Sequence, residues 1–270
     1  MPGAILLLEY LRKAFAGTDR KITIDDFDGS LTIDLRLNEH MQSQIFWYGY
    51  YSRDIVMTMD RILTPGMVVF DVGANIGEIS LYAARRVGSE GGVYSFEPMQ
   101  ELYDTLSFNF LRNGLTQAHP IRMGVSNKLG MVPIYRSDSN FSDGTVHEGL
   151  GTLYPRQNIT TPAGEIQLTT LDAFCEEKQI HRIDLIKIDV EGSELDVLMG
   201  GEQTLKRYKP RLIIEVQKKT TDASGANAEQ ILDYLKNLDY SFFTIGRKAK
   251  LYALHPENLK DFQNVLCVPK

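Results

Sequence analysis

The chain has 270 residues, 43% of them hydrophobic, and a net charge of −6. That is enough for one large α/β domain, or a domain with an extension, and too apolar for a disordered chain. The acidic balance argues against a general nucleic-acid binder, which carries a basic face, so no nucleic-acid partner is expected.

Two cysteines, Cys175 and Cys267, match neither a disulfide framework nor a zinc spacing. They read as buried thiols of a reducing compartment, and a cytoplasmic location is expected. No apolar run is long enough for a membrane span, and Ala4–Leu8 is too short and too poor in cleavage-site residues to read as a signal peptide.

In chain order, Ile5, Leu8, Leu11 and Phe15 fall at helical spacing. This helix packs either on the domain or on a second copy of the chain, which would make a homo-oligomer through the N-terminal extension; binding to a membrane surface is the weaker alternative, because its polar face carries few cations. Lys21–Leu37 alternates on both sides of Asp28-Gly29, the signature of a β-hairpin. Gln44–Ser52 concentrates Phe46, Trp47, Tyr48, Tyr50 and Tyr51. These aromatics read either as the wall of a ligand pocket or as a packed lead-in to a helix over Arg53–Leu63. Residues 1–64 are therefore expected to form an extension, and residues 65–270 the main domain.

Met67–Gly77 reads MVVFDVGANIG. Val68, Val69, Phe70 and Val72 around Asp71 suit a strand buried on both faces of a parallel sheet. The run stops at Gly73, and a helical pattern begins at Ile76 and Gly77. Strand, glycine turn and helix in this order place the turn at a carboxyl strand end, where open α/β sheets bind ligands. Glycine permits close approach to the backbone, and the helix start offers free N–H groups. A second strand, Gly92–Phe96, ends in Glu97, 20 residues past Gly77. An acid so placed can accept both hydroxyls of a ribose. The dinucleotide fingerprint itself is absent, because Asn75 stands where its middle glycine would be.

Gln100–Asn113 reads as a helix, Ala118–Met123 as a third strand running into GVSN (Gly124–Asn127), and Met131–Arg136 and Glu165–Thr169 as two more strands. The polar stretch 137–164 between them reads as a lid or a disordered loop. It contains His147, a proton acceptor or simply a solvated side chain. Thr170–Lys178 is a helix, and Ile183–Ile188 is a buried strand interrupted by Lys187 and ending at Asp189. A helix opening at Val190 closes at Gly200-Gly201, which fits a C-terminal cap. Arg211–Val216 carries Glu215 near its tip, and Ala228–Leu238 is a helix. Ser241–Ile245, Leu251–Leu254 and Val265–Val268 close the sheet, with an antiparallel edge at the end. Asp189, Glu191 and Glu215 share one sheet edge and have three readings: cation ligands, helix caps or a general base. The spacing does not compel a metal site, and none is assigned.

DVGANIG resembles the first motif of S-adenosylmethionine-dependent methyltransferases in the variant of the FkbM family. The resemblance extends to FEP (Phe96–Pro98), GVSN, TLD (Thr170–Asp172) and IDLIKIDVEGSE (Ile183–Glu194). It implies a Rossmann-like, doubly wound, mostly parallel sheet of the class I methyltransferase type with an antiparallel final strand, preceded here by the helix and hairpin. It implies S-adenosyl-L-methionine as methyl donor and O-methylation of a small-molecule or carbohydrate hydroxyl. A carboxylate acceptor is the near alternative, and a nicotinamide-dependent oxidoreductase or a silent nucleoside-binding scaffold are the distant ones. Donor contacts are then expected from Asp71, Gly73, Ala74, Asn75, Gly77, Glu97 and Pro98, with Met123, Gly124 and Val125 near the adenine. Asp189 is expected to orient the donor, and Glu191 or Lys187 to serve the acceptor.

Overall fold

The computed structural model describes residues 10–12, 14–15, 19–136, 139–140, 144–147, 151–155, 161–217, 226–255 and 259–270. Most of the expected helix Ile5–Phe15 lies outside the described residues. The chain runs through β1 (Lys21–Phe27), β2 (Leu31–Arg36), α1 (His40–Tyr48), α2 (Arg53–Met59), β3 (Val68–Val72), α3 (Glu78–Val87), β4 (Gly92–Phe96), α4 (Gln100–Arg112), β5 (Ala118–Ile121) and β6 (Gly124–Val125). An inserted region follows, with β7 (Gly130–Arg136), β8 (Ser139–Asn140), β9 (Val146–His147), β10 (Gly151–Thr152) and β11 (Gly164–Thr169). The remainder is α5 (Leu171–Glu177), β12 (Leu185–Ile188), α6 (Glu194–Met199), α7 (Glu202–Tyr208), β13 (Arg211–Gln217), α8 (Ala228–Asn237), β14 (Tyr240–Gly246), β15 (Lys250–Ala253) and β16 (Phe262–Pro269).

The main sheet has the order β15-β14-β16-β13-β12-β3-β4-β5. Strands β13, β12, β3, β4 and β5 are mutually parallel, and β16 runs antiparallel to both neighbours. Alternation sends Val69 to one core cluster with α2, α3 and α4, and sends Phe70 and Val72 to a second with α5, α6, α7 and α8. Helices thus cover both faces, which is why the parallel strands carry continuous apolar runs. The expected doubly wound α/β fold with an antiparallel final strand is the fold found.

Three local expectations need correction. The final strand is not an edge: β16 inserts between β13 and β14 with Val265 and Cys267 fully buried, and exposed β15 forms the edge. The third strand stops at Ile121; Gly124–Val125 instead pairs with β11 in a second sheet, β10-β7-β11-β6. The stretch 137–164 is not merely a loop, since its described parts carry β8, β9 and β10. Gly200 caps α6 as expected, with φ of −71°; a Cβ there would lie 2.0 Å from the Ser126 carbonyl oxygen, so close packing also demands the glycine.

The hairpin turns at Asp28-Gly29 as expected, and Asp28 is held by Arg85, Arg86 and the Tyr50 hydroxyl. The β2 backbone bonds to the side chains of Asn109 on α4 and of Asn113, which caps that helix. No helix among the described residues is long and apolar enough to cross a membrane.

Candidate functional site

The register of the parallel strands builds a polar row inside an otherwise apolar sheet. Lys187 on β12 lies directly beside Asp71 on β3, and Asp71 lies beside Ser95 on β4. Asp71 is fully buried; its Oδ2 accepts from Ser80 Oγ at 2.5 Å, and Ser95 Oγ donates to Ser80 Oγ at 2.7 Å. Lys187 Nζ sits 3.4 Å from Asp71 Oδ1, 3.4 Å from Asp189 Oδ2, and donates to the Gly73 carbonyl at 2.9 Å. Burial alone would push the Lys187 ammonium down, but Asp189 and Asp71 hold it well above the ordinary lysine value. Lys187 is therefore a fixed cation bracing the glycine turn, with its proton firmly retained.

The turn is shaped by protein as much as by any ligand. Gly73 has φ of +80°, and a Cβ there would lie 1.9 Å from the Asp189 carbonyl oxygen. Strand ends β3 and β12 touch at this point, so glycine is required by the neighbouring backbone. Asn75 takes φ of +51°, and its Oδ1 accepts from the Ile76 N–H. Its own N–H donates to Glu97 Oε2 at 2.9 Å, while the Met99 N–H donates to Glu97 Oε1 at 2.9 Å. Each Glu97 oxygen thus keeps a lone-pair site for a further donor. Burial pushes the Glu97 carboxyl up to about 7, against the pull of those two N–H groups.

These strand ends open into a cleft with roughly 1290 Å³ of empty space, mouth included. Of the residues expected from sequence, Gly73, Ala74, Asn75, Glu97, Pro98, Met123, Gly124, Val125, Lys187, Asp189 and Glu191 all line it. Asp71 and Gly77 do not. Asp71 lies behind Lys187 and pairs with it; Gly77 precedes α3 against Leu106. Glu215 also lines the cleft, but among the described residues no three His, Cys, Asp or Glu side chains converge as a metal site.

The capping alternative for Asp189 and Glu191 is not realised. Residues 190–193 form a loop with Glu191 at φ of +53° and Gly192 at +98°, and α6 starts only at Glu194. The buried Glu194 carboxylate holds that loop through the N–H groups of Val190 and Gly192, at 3.2 Å each, and burial raises its proton affinity to about 7.

Both readings of the aromatic segment are partly correct. Phe46 and Tyr50 pack on the core, whereas Tyr51 lines the cleft. Sequence reading missed Glu78, which opens α3 one residue after the glycine motif. Its carboxylate accepts the Tyr51 N–H at 2.6 Å and the Ser52 N–H at 3.1 Å, tying the aromatic segment to the cleft. An acid directly after the second glycine was the available signal. The insert forms one rim: Thr152 Oγ1 donates to the Glu191 carbonyl at 3.3 Å, Tyr154 donates to Asp196, and His40 Nδ1 meets Thr145 Oγ1 at 2.9 Å. The His147 side chain, named from sequence, lies outside the described residues.

Residues 71–242 match the family model for the methyltransferase FkbM domain. The chain belongs to the FkbM methyltransferase family. The 31-O-demethyl-FK506 methyltransferase FkbM of Streptomyces tacrolimicus is 31% identical over 217 residues, covering 71% of this chain and 78% of that protein. The AMB antimetabolite synthetase AmbE of Pseudomonas aeruginosa is 28% identical over 245 residues, 80% of this chain; the chain spans only 11% of AmbE's length. A crystal structure of methyltransferase FkbM from Methylobacillus flagellatus KT aligns over 86% of this chain and 52% of that one, at 18% identity and a TM-score of 0.47.

The donor this family implies is S-adenosyl-L-methionine, and the residues present fit it. Glu97 offers two oxygens to a diol, and Met123, Val125 and Leu168 offer an apolar slot for a purine. Ser193 also lines the cleft, and its Oγ is buried without a hydrogen-bond partner among the described residues. An orphan hydroxyl beside a cavity is a place for a ligand's polar group.

Proposed function

We propose that the protein transfers a methyl group from S-adenosylmethionine to a hydroxyl of a small molecule or sugar. The observation that carries this reading is Glu97, a buried carboxylate at the β4 tip whose two oxygens each retain one open acceptor site beside the glycine turn. The donor supplies an activated methyl on sulfur, so the protein's task is alignment and proton removal.

The residues divide that task along the strand edge. Glu97 holds the ribose, and Met123, Gly124 and Val125 flank the adenine. Lys187, locked between Asp71 and Asp189, keeps the glycine turn and the β12 tip in register. Asp189 faces the donor's amino-acid end. Glu191, held on the strained loop beside it, accepts the proton of the acceptor hydroxyl. Lys187 is excluded as the base because its proton is retained by two carboxylates. The name of the S. tacrolimicus relative specifies an O-methyltransfer, which agrees with a hydroxyl acceptor.

The test is formation of S-adenosylhomocysteine from S-adenosylmethionine with a mixture of sugar and polyol acceptors. Asp189→Asn and Glu191→Gln should each reduce turnover at saturating donor, Glu191→Gln through kcat with donor affinity unchanged. Wild-type turnover in both variants would sink the assignment.

A further inference from the structure

The loop that carries Glu191 is held by more than its own helix. Glu191 takes φ of +53° and Gly192 φ of +98°, two left-handed residues in succession. A glutamate keeps that conformation only where its surroundings impose it. The peptide group joining Glu191 to Gly192 is pinned at both ends. Its N–H, like that of Val190, donates to Glu194 Oε1 at 3.2 Å. Its carbonyl accepts from Thr152 Oγ1 at 3.3 Å. The orientation of this one peptide fixes ψ of Glu191, and with it the direction in which the side chain leaves the loop.

The two clamps differ in origin. Glu194 is local, the first residue of α6. Thr152 belongs to the insert, 39 residues away in the chain, on β10 opposite Tyr135 of β7. Its side chain is buried, and β-branching leaves it few rotamers. Its Oγ1 accepts from the Tyr154 N–H at 3.3 Å, which leaves the hydroxyl proton for the Glu191 carbonyl. On either side of it, Gly151 and Leu153 line the cleft. Consecutive residues of the insert therefore wall the ligand space and hold the reacting loop.

We infer that Thr152 is a positioning residue for the methyl transfer: by holding the Glu191 carbonyl it aims the Glu191 carboxylate at the acceptor hydroxyl, which makes the insert a working part of the reacting end. The inference rests on the reading of Glu191 as the acceptor's base. No proton passes through Thr152 during the reaction, and its effect is geometric. A shift of about 1 Å at a reacting group can cost up to ~100-fold in rate, so one hydrogen bond to the loop backbone is enough to matter.

The experiment is a double-mutant cycle, read as S-adenosylhomocysteine formed at saturating S-adenosylmethionine with the sugar and polyol mixture. Thr152→Val keeps the branched shape and deletes the hydroxyl. It should lower kcat about tenfold. Affinity for S-adenosylhomocysteine, measured by calorimetry, should stay within about twofold. Thr152→Ser retains the hydroxyl and should recover most of the turnover. In a Glu191→Gln background, Thr152→Val should cost no more than about twofold further, because the group it aims is already gone. A second readout needs no acceptor. In hydrogen exchange followed by mass spectrometry, Thr152→Val should speed exchange over residues 189–194 about tenfold while β7 and β11 keep their protection. If Thr152→Val does not fold, Thr152→Ala against Thr152→Ser makes the same comparison. Wild-type turnover in Thr152→Val, a loss that adds in full to that of Glu191→Gln, or unaltered exchange over 189–194 would overturn the inference. Wild-type turnover in Glu191→Gln alone would instead remove Glu191 as the base, and the inference with it. A wild-type protein that forms no product counts against hydroxyl transfer, and exchange over 189–194 then decides whether Thr152 holds the loop.

Discussion

The two ends of the cleft are built differently. The donor end is made from backbone and buried pairs: the glycine turn, the Glu97 carboxylate fixed by two N–H groups, and the Asp71–Lys187 row beneath. The acceptor end is made from side chains that arrive from distant segments, Tyr51 from the N-terminal part, Glu191 and Glu215 from two strand tips, and Leu153 from the insert. The first is shaped before any ligand arrives, and its cost is stored in the fold. The second is set by loops and hydrogen bonds at the rim. Perturbing the donor end should therefore cost stability as well as binding, while perturbing the acceptor end should cost turnover with the fold intact.

The largest effect is expected at Lys187. Lys187→Met leaves the fully buried Asp71 uncompensated and should cost about 3–5 kcal/mol of stability in urea denaturation. Adding Asp71→Asn should restore part of that loss. If Lys187→Met unfolded at the wild-type urea concentration, the buried row would not be holding the sheet edge together.

Gly73→Ala comes next. It places a Cβ against the Asp189 carbonyl at a positive φ, and roughly 2–4 kcal/mol of destabilisation should accompany loss of donor binding. A well-folded variant with normal affinity would mean that the two strand ends separate easily.

Glu97→Ala should weaken S-adenosylhomocysteine by about 1–3 kcal/mol in calorimetry, the cost of unpaired polar groups. The same residue gives a pH signature. Its folded value of about 7 lies above the ordinary 4.5, so the folded state binds more protons than the unfolded one between those limits. Its contribution to stability therefore falls as pH rises through that window, and the similarly raised Glu78 and Glu194 act in the same direction. The ionised carboxylate is the form that accepts ribose hydroxyls, so donor affinity should instead rise by up to about tenfold from pH 6 to pH 8. A donor affinity flat across that range would separate Glu97 from the ribose.

The smallest effect belongs to the rim. Tyr154→Phe removes the bond to Asp196 and should cost about 0.5–1.5 kcal/mol, read as a higher KM for the acceptor with donor affinity unchanged. An effect on the donor alone would place the insert over the wrong end.

How much of this was legible in the sequence follows the same division. The donor end is local: strand, glycine turn and acid occupy a short stretch whose periodicity and spacing are visible in one dimension. Even there the reason for Gly73 was hidden, because the Asp189 backbone that crowds it lies more than a hundred residues away. The buried row was half legible, with Lys187 conspicuous in an apolar strand but its partner Asp71 fixed only by the β3–β12 register. The acceptor end depends on long-range packing. Tyr51 could not be separated from its core-packing neighbours by pattern, and Glu78 reads as an ordinary first-turn acid until its bonds to Tyr51 and Ser52 are seen. The position of β16 was likewise invisible, since strand order is set by which edges remain open after the parallel strands have paired.

The most direct test is a crystal structure with S-adenosylhomocysteine bound. Its ribose hydroxyls should lie on the two Glu97 oxygens, its adenine against Met123 and Val125, and its sulfur over the β12 tip beside Asp189. A ligand seated away from Glu97, or with its sulfur turned toward β5, would contradict the assignment of both ends of the cleft.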